Sequence, residues 1–347
     1  MRPLARLFAL CLSLLSLPSW AETVGDLYQV REPVASQQPE ERAAALSRAL
    51  DTLVLRLTGD SKAPSSPALA ELRKDPQQLI SQYGYESGPP ELLVVDFDPI
   101  SSDRSLRQAG LSLWGSNRPA ILAWWLNSAA EGASLVGDGQ AGAVPLRRAA
   151  QHRGLPLRLP LADLNEQLVA TAENLAATQP DALRSASERY AADALLAVNA
   201  HEEAGQWSAQ WRLWLGDSRE QGTAQGADAD ALADALFLAI SQRLAPRFVA
   251  APGASENLTL EVQGANLARY AELQRLLEPF DARLQKVEGE RLTYQVKAST
   301  EQLRAQLALA HLQEIPAEAA PVEAGQAPAV VAAPMQQPRT DVLHYRW

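Results

Sequence analysis

Short apolar runs of strand character alternate with helix-period segments along most of this chain, and no other feature constrains its fold as strongly. Residues 27–34 (LYQVREPV) read as a strand. Pro39, Glu40 and Glu41 open a helix in which Leu46, Leu50, Leu53, Val54 and Leu57 recur at helical spacing, and Gly59 stops it. The proline-rich stretch 60–90 reads as loop with one short helix over 67–82. LLVVDFDP at 92–99 and PAILAWWL at 119–126 are buried-strand runs, with a helix predicted between them over 101–111. Further strands are expected at 133–136 and 155–159, and helices at 144–153, 161–171 and 180–190.

The clearest local signal is a hairpin. Strand 194–200 pairs with 206–215 across a Gly205-containing turn, and Trp207, Ala209, Trp211, Leu213 and Leu215 share one face. A long helix to about Phe248 follows, with Leu232, Leu236, Ile240 and Leu244 in one stripe. Beyond a linker at 250–255 the order βαββα is expected over 256–315. The predicted class is therefore α/β (α+β): a mixed-sheet main domain at 22–250, then a small ferredoxin-like or ACT-like domain at 256–315. Residues 316–338 hold five prolines and no basic residue and read as a disordered Ala/Pro-rich tether. Residues 339–347 end in DVLHYRW, a strand. Two readings of that tail stay open: it docks on its own sheet, or Tyr345 and Trp347 add a strand to a partner.

The first 21 residues have the pattern of a secretory signal. Arg2 and Arg6 precede an apolar run at 7–17, and Ser19-Trp20-Ala21 offers a cleavage site. The sole cysteine, Cys11, falls inside that run. Cleavage after Ala21 would leave 326 residues without cysteine, which excludes disulfides, zinc–thiolate sites and Cys nucleophiles from them. With two Arg and no acid removed, 29 basic residues face 41 acidic ones, a net charge of −12. That balance disfavours nucleic acid as a partner. No later run of 18 apolar residues suggests a transmembrane segment. The expected location is the periplasm.

Chemistry-bearing motifs are few. Residues 137–142 (GDGQAG) match G-x-G-x-x-G, but Asp138 would stand beside the phosphates and Pro145 falls early in the following helix. A glycine-rich loop is the better reading, and no cofactor is expected. Asp96, Asp98 and Asp103 cluster at a strand end, where ligands of α/β sheets gather. Asp98-Pro99 and Ser101-Ser102-Asp103 also read as a turn and a helix cap. The four histidines, His152, His201, His311 and His344, show no metal-binding spacing, and no metal site is expected. No catalytic set can be assembled. Trp114 and Arg118, in the polar stretch WGSNRP, are the candidates for a recognition surface.

Several blocks together carry a family resemblance: LYQVREPV at 27–34, LTGD at 57–60, WGSNRPAILAWWL at 114–126, RGLPLRLPLADL at 153–164, RYAADALLAV at 189–198 and QWSAQWRLWL at 206–215. Through them the chain resembles the DUF2066 family of uncharacterised exported proteins of Gram-negative bacteria. The resemblance implies a periplasmic protein of unassigned activity and transfers no catalytic residue. The expected function is a non-enzymatic, envelope-associated adaptor that binds an envelope protein through sheet edges or its last strand. The alternative is a binding module for a glycan or lipid fragment, built on Trp114, Arg118 and the 96–103 turn. A hydrolase using Asp96, Asp98 or Asp103 comes third.

Overall fold

A computed structural model describes residues 26–129, 132–249, 256–316 and 342–347. The expected signal at 1–21 with Cys11, the linker at 250–255 and all but the first residue of the expected tether lie outside the described residues. The fold is mixed α/β, with three sheets, ten α-helices and no barrel among the described residues.

The first sheet is antiparallel, in the order β1 (Gln29–Val34), β3 (Glu91–Phe97), β2 (Ile80–Glu86). Helix α1 (Pro39–Thr58) lays Leu46, Leu50, Leu53 and Leu57 against Val30, Leu93, Val95 and Phe97, as its periodicity predicts. Gly59 ends the helix at φ +65, a left-handed conformation that glycine adopts without strain. A Cβ there would stand 2.2 Å from that of Ala245, so this glycine also permits close packing against a later helix. The helix expected over 67–82 is not formed as one piece. Pro67 and Pro76 each start a separate turn, leaving α2 (Ala70–Lys74) between two 3₁₀ segments. The stretch then becomes strand β2, with Tyr83 and Tyr85 opposite Val95 and Leu93. Helix α3 (Pro99–Gln108) follows β3.

The second sheet runs β5 (Gly132–Leu135), β4 (Ile121–Ala129), β7 (Ala194–Glu203), β8 (Gln206–Leu215), β9 (Ser218–Gly226), with the short β6 (Leu157–Arg158) parallel to β4. Strands β4 and β7 are parallel, and the rest of that path is antiparallel. The predicted hairpin is in register from Ala194↔Leu215 to Glu203↔Gln206, tighter than expected, with only Ala204 and Gly205 in its turn at positive φ. Alternation sends Ile121, Ala123 and Trp125 toward α4 (Ala143–His152) and α8 (Ala229–Phe248). It sends Leu122, Trp124 and Leu126 to the opposite core, which Ala170, Leu175 and Leu183 complete. Those three belong to the segment holding α5 (Leu164–Val169), α6 (Ala172–Ala176) and α7 (Asp181–Ser187). Strand β9 escapes the sequence reading because SREQGTAQG has almost no apolar residue. Small residues are what its inner face needs: a Cβ on Gly222 would lie 2.5 Å from the Trp211 ring.

The third sheet has the order β11 (Arg283–Glu288), β12 (Arg291–Ala298), β10 (Glu256–Gln263), β14 (Val342–Arg346), β13 (Gln313–Glu314). Helices α9 (Leu267–Leu277) and α10 (Thr300–Leu309) supply Leu273, Leu277, Leu303 and Leu307 to its core. Gln302 donates to the Phe248 carbonyl at 2.9 Å and Gln306 to that of Asn117 at 3.3 Å, joining α10 to the preceding sheet's surroundings.

Candidate functional site

Trp114 and Arg118 do not form a surface. Both are fully buried, so the recognition role expected of an exposed polar loop is corrected. Arg118 uses all five of its N–H donors on backbone carbonyls. Nε reaches Gly115 at 3.0 Å, Nη1 reaches Arg153 and Gly154 at 3.1 and 3.2 Å, and Nη2 reaches Arg56 and Trp114 at 2.8 and 3.0 Å. The guanidinium lies 4.3 Å from the Trp114 ring, which stacks on Phe248 at 5.5 Å. Burial pushes the Arg118 pKa down to about 9, still above neutrality, so the group enters the fold as a cation. Arg56 repeats the pattern beside it, donating to the carbonyls of Asp26, Leu27, Gln29 and His152. The W-G-x-x-R-P block is thus an internal lock. It holds the end of α1, the 114–118 turn and the 153–154 turn together.

The acidic group at the end of β3 is also occupied. Asp96 accepts from Gln29 at 2.7 Å and Gln82 at 2.8 Å, one glutamine from each neighbouring strand. Asp98 is the N-cap of α3 and accepts from the Ser101 hydroxyl and from the Ser101 amide, the latter at 2.8 Å; these two bonds, the hydroxyl's first, hold its carboxyl below the usual range. Asp103 accepts from the Tyr28 hydroxyl at 2.6 Å. Only Asp98 caps the helix; Asp96 ties β3 to both neighbouring strands and Asp103 ties α3 to Tyr28.

The glycine-rich loop and two of the sequence blocks explain one another. Gly137 lets the loop approach residues 161–162, where a Cβ would lie 2.7 Å from that of Ala162, and the Asp138 amide donates to Pro160. Arg147 clamps Asp138. Asp163 and Glu166 form a capping box on α5. Glu166, 2% exposed, accepts from Arg189 and from the Tyr190 hydroxyl, which itself accepts from the Leu161 amide at 2.8 Å. This network anchors the segment on which Leu161, Leu164 and Leu168 stand at the surface, each about two-thirds exposed or more.

Tyr345 and Trp347 likewise face inward. Strand β14 pairs in parallel with β10 and antiparallel with β13. Leu343 and Tyr345 are buried in the third core, and Trp347 packs against it under Arg269. Of the two readings of the tail, docking on its own sheet is the one found.

Besides the rims at β5, β9, β11 and β13, the fold leaves open the β2 edge and a cleft. The outer carbonyls of β1 at Gln29 and Pro33 are covered by Arg56 and Arg48. Strand β2, at the opposite rim, has its backbone partners in β3 on one side only. Its seven residues, ISQYGYE, carry a single charge, Glu86. Sequence reading missed this edge; the spacing of Tyr83 and Tyr85 was the available signal. The cleft, about 820 Å³, lies where the three sheets' surroundings meet. Thr58 and Asp60 of the LTGD block line it with Ser112, Gln242, Ser299 and Glu301. Among the described residues no group of three or more His, Cys, Asp or Glu is arranged to hold a metal ion. No described helix is long and apolar enough to cross a membrane.

A family defined as a domain of unknown function, DUF8605, matches residues 21–115. The match coincides with the first sheet and its core, which runs from Leu27 to Leu113. It replaces the resemblance to DUF2066, a different family; the blocks at 153–164, 189–198 and 206–215 lie outside the matched residues. No curated protein and no solved structure matches the chain.

Proposed function

We propose that this chain is a non-enzymatic interaction protein of the cell envelope, exported to the periplasm, that binds an extended segment of another protein along the β2 edge. One observation carries the reading. Strand β2 is a seven-residue, nearly uncharged rim of the sheet in the family-matched segment, while the opposite rim is covered by arginines. Unpaired edge backbone is a template for strand addition, and proteins that do not use such an edge usually guard it with charge.

The test is photo-crosslinking in the producing cell, with the probe at Glu86 on β2 and, as control, at Thr223 on the β9 edge. Gly84→Lys supplies the missing charge, and Gly84 has no atom within 4 Å of its would-be Cβ, so the fold tolerates the change. Protein adducts are expected at Glu86 and not at Thr223, with at least a fivefold loss in Gly84→Lys. Adducts of unchanged yield in Gly84→Lys, or none at Glu86, overturn the reading.

A second reading rests on the cleft. Its volume falls in the range of small-molecule sites, and its lining joins hydroxyls, an amide and two carboxylates to an apolar wall of Leu111, Pro246 and Val249, which suits an envelope ligand with both polar and apolar faces, such as a glycan or lipid fragment. A thermal shift with such ligands that disappears in Gln242→Ala would favour it over the edge.

A further inference from the structure

We infer that the slot between β10 and β13 is a strand-acceptor site, occupied in this chain by its own β14 and able to exchange it for an extended segment of a partner. The pairing carries the argument. Strand β14 is parallel to β10 and antiparallel to β13, so β13 runs antiparallel to β10. Strand β13 follows α10 directly and has the right direction to pair with β10 itself. Instead β14 stands between them, parallel to β10 in a sheet whose other pairs are antiparallel.

The connection is also far longer than the geometry requires. Antiparallel neighbours such as β13 and β14 can be joined by two residues. Here residues 317–341 intervene, a length with a reach of up to about 80 Å. A connection of that length does not by itself force β14 into this slot.

The seated strand displays the chemistry the slot recognises. Leu343 and Tyr345 point into the core, two residues apart, and Trp347 lies 5.5 Å from the Arg269 guanidinium. On the opposite face His344 Nδ1 is 3.2 Å from Glu261. The Tyr345 hydroxyl approaches Glu314, which Arg304 holds through two bonds of 2.8 and 2.9 Å. The partner segment therefore has an aliphatic residue, an aromatic residue two positions on and a second aromatic two further, with a basic or imidazole group between the first two. Covalent linkage in one chain holds the resident strand at an effective concentration on the order of millimolar. The slot thus rejects weak competitors and admits only a segment that binds better or is held equally close.

The test uses the full chain with a specific protease site placed within 317–338, and a fluorescent peptide of residues 340–347 as the probe. Before cleavage, anisotropy should give an apparent Kd in the millimolar range. After cleavage and dilution below micromolar, the apparent Kd should fall at least tenfold. Leu343→Asp in the uncut chain should produce the same gain without cleavage, because the resident strand no longer competes. A cut chain that neither releases its strand nor takes the probe overturns the inference. So does equal binding before and after cleavage, or a folded Leu343→Asp chain that ignores the probe.

Discussion

Arg118→Lys tests the internal lock, and its cost can be worked from the contacts. Arginine meets five carbonyls with five donors in one plane; lysine offers three donors from a point charge. At least two carbonyls in a fully buried site therefore lose their partner. A buried acceptor left unpaired costs about 1–3 kcal/mol, so the expected destabilisation is about 3 kcal/mol. Burial and the neighbouring Arg56 also disfavour a charged lysine more than a charged arginine, so the loss combines geometry with a weakened cation. Arg118→Met removes all five bonds and should prevent stable folding, since the summed loss rivals the roughly 5–15 kcal/mol stability of a typical domain. Equilibrium urea unfolding read by far-UV circular dichroism measures the lysine variant: the midpoint should fall with the slope unchanged. A change below about 0.5 kcal/mol would refute the claim that this guanidinium locks three chain segments by its donor count.

Other expectations follow from single contacts. Gly222→Val forces a side chain into the Trp211 ring and should cost about 1–3 kcal/mol by overpacking, seen as a lower Tm; an unchanged Tm would mean the ring can move aside. Glu166→Gln removes the buried carboxylate that Arg189 and Tyr190 share and should cost about 2–3 kcal/mol, with faster amide exchange across 161–169. Burial and the nearby Glu314 push the Tyr345 pKa up to about 12, above its unfolded value of 10. Its contribution to stability is thus complete below pH 10 and is lost as pH rises through about 12. Between pH 9 and 12 the Tm should fall more steeply for the native chain than for Tyr345→Phe; parallel curves would show that this hydroxyl does not titrate against folding.

Much of the fold is legible where burial is one-sided or complete. The leucine stripe of α1, the tryptophan-rich hairpin and the 92–99 and 119–126 runs each carry a period that only one element satisfies. Strand β9 was illegible because its inner positions must be small to make room for Trp211, so the apolar signal sits on the neighbouring strand. Strand β2 was hidden by prolines that start the turns before it and do not enter it. The candidate site misled for a different reason. WGSNRP reads as a polar loop because carbonyl acceptors are invisible in a sequence, and an arginine satisfied wholly by backbone looks free. The turn-and-cap reading was legible only in part: a cap is there, but Asp98 supplies it, and Ser101-Ser102-Asp103, read as the cap, lies inside the helix that Pro99 opens.

The central claim is that interaction belongs to the β2 edge while the Trp114–Arg118 block only maintains the fold. The most direct test pairs the Glu86 crosslinking yield with Tm in Gly84→Lys and Arg118→Lys. The account predicts that Gly84→Lys loses the adduct and keeps the native Tm. It predicts that Arg118→Lys lowers the Tm and, at temperatures where it stays folded, keeps the adduct. A Gly84→Lys chain that retains the adduct, or an Arg118→Lys chain that loses it without losing stability, would contradict the account.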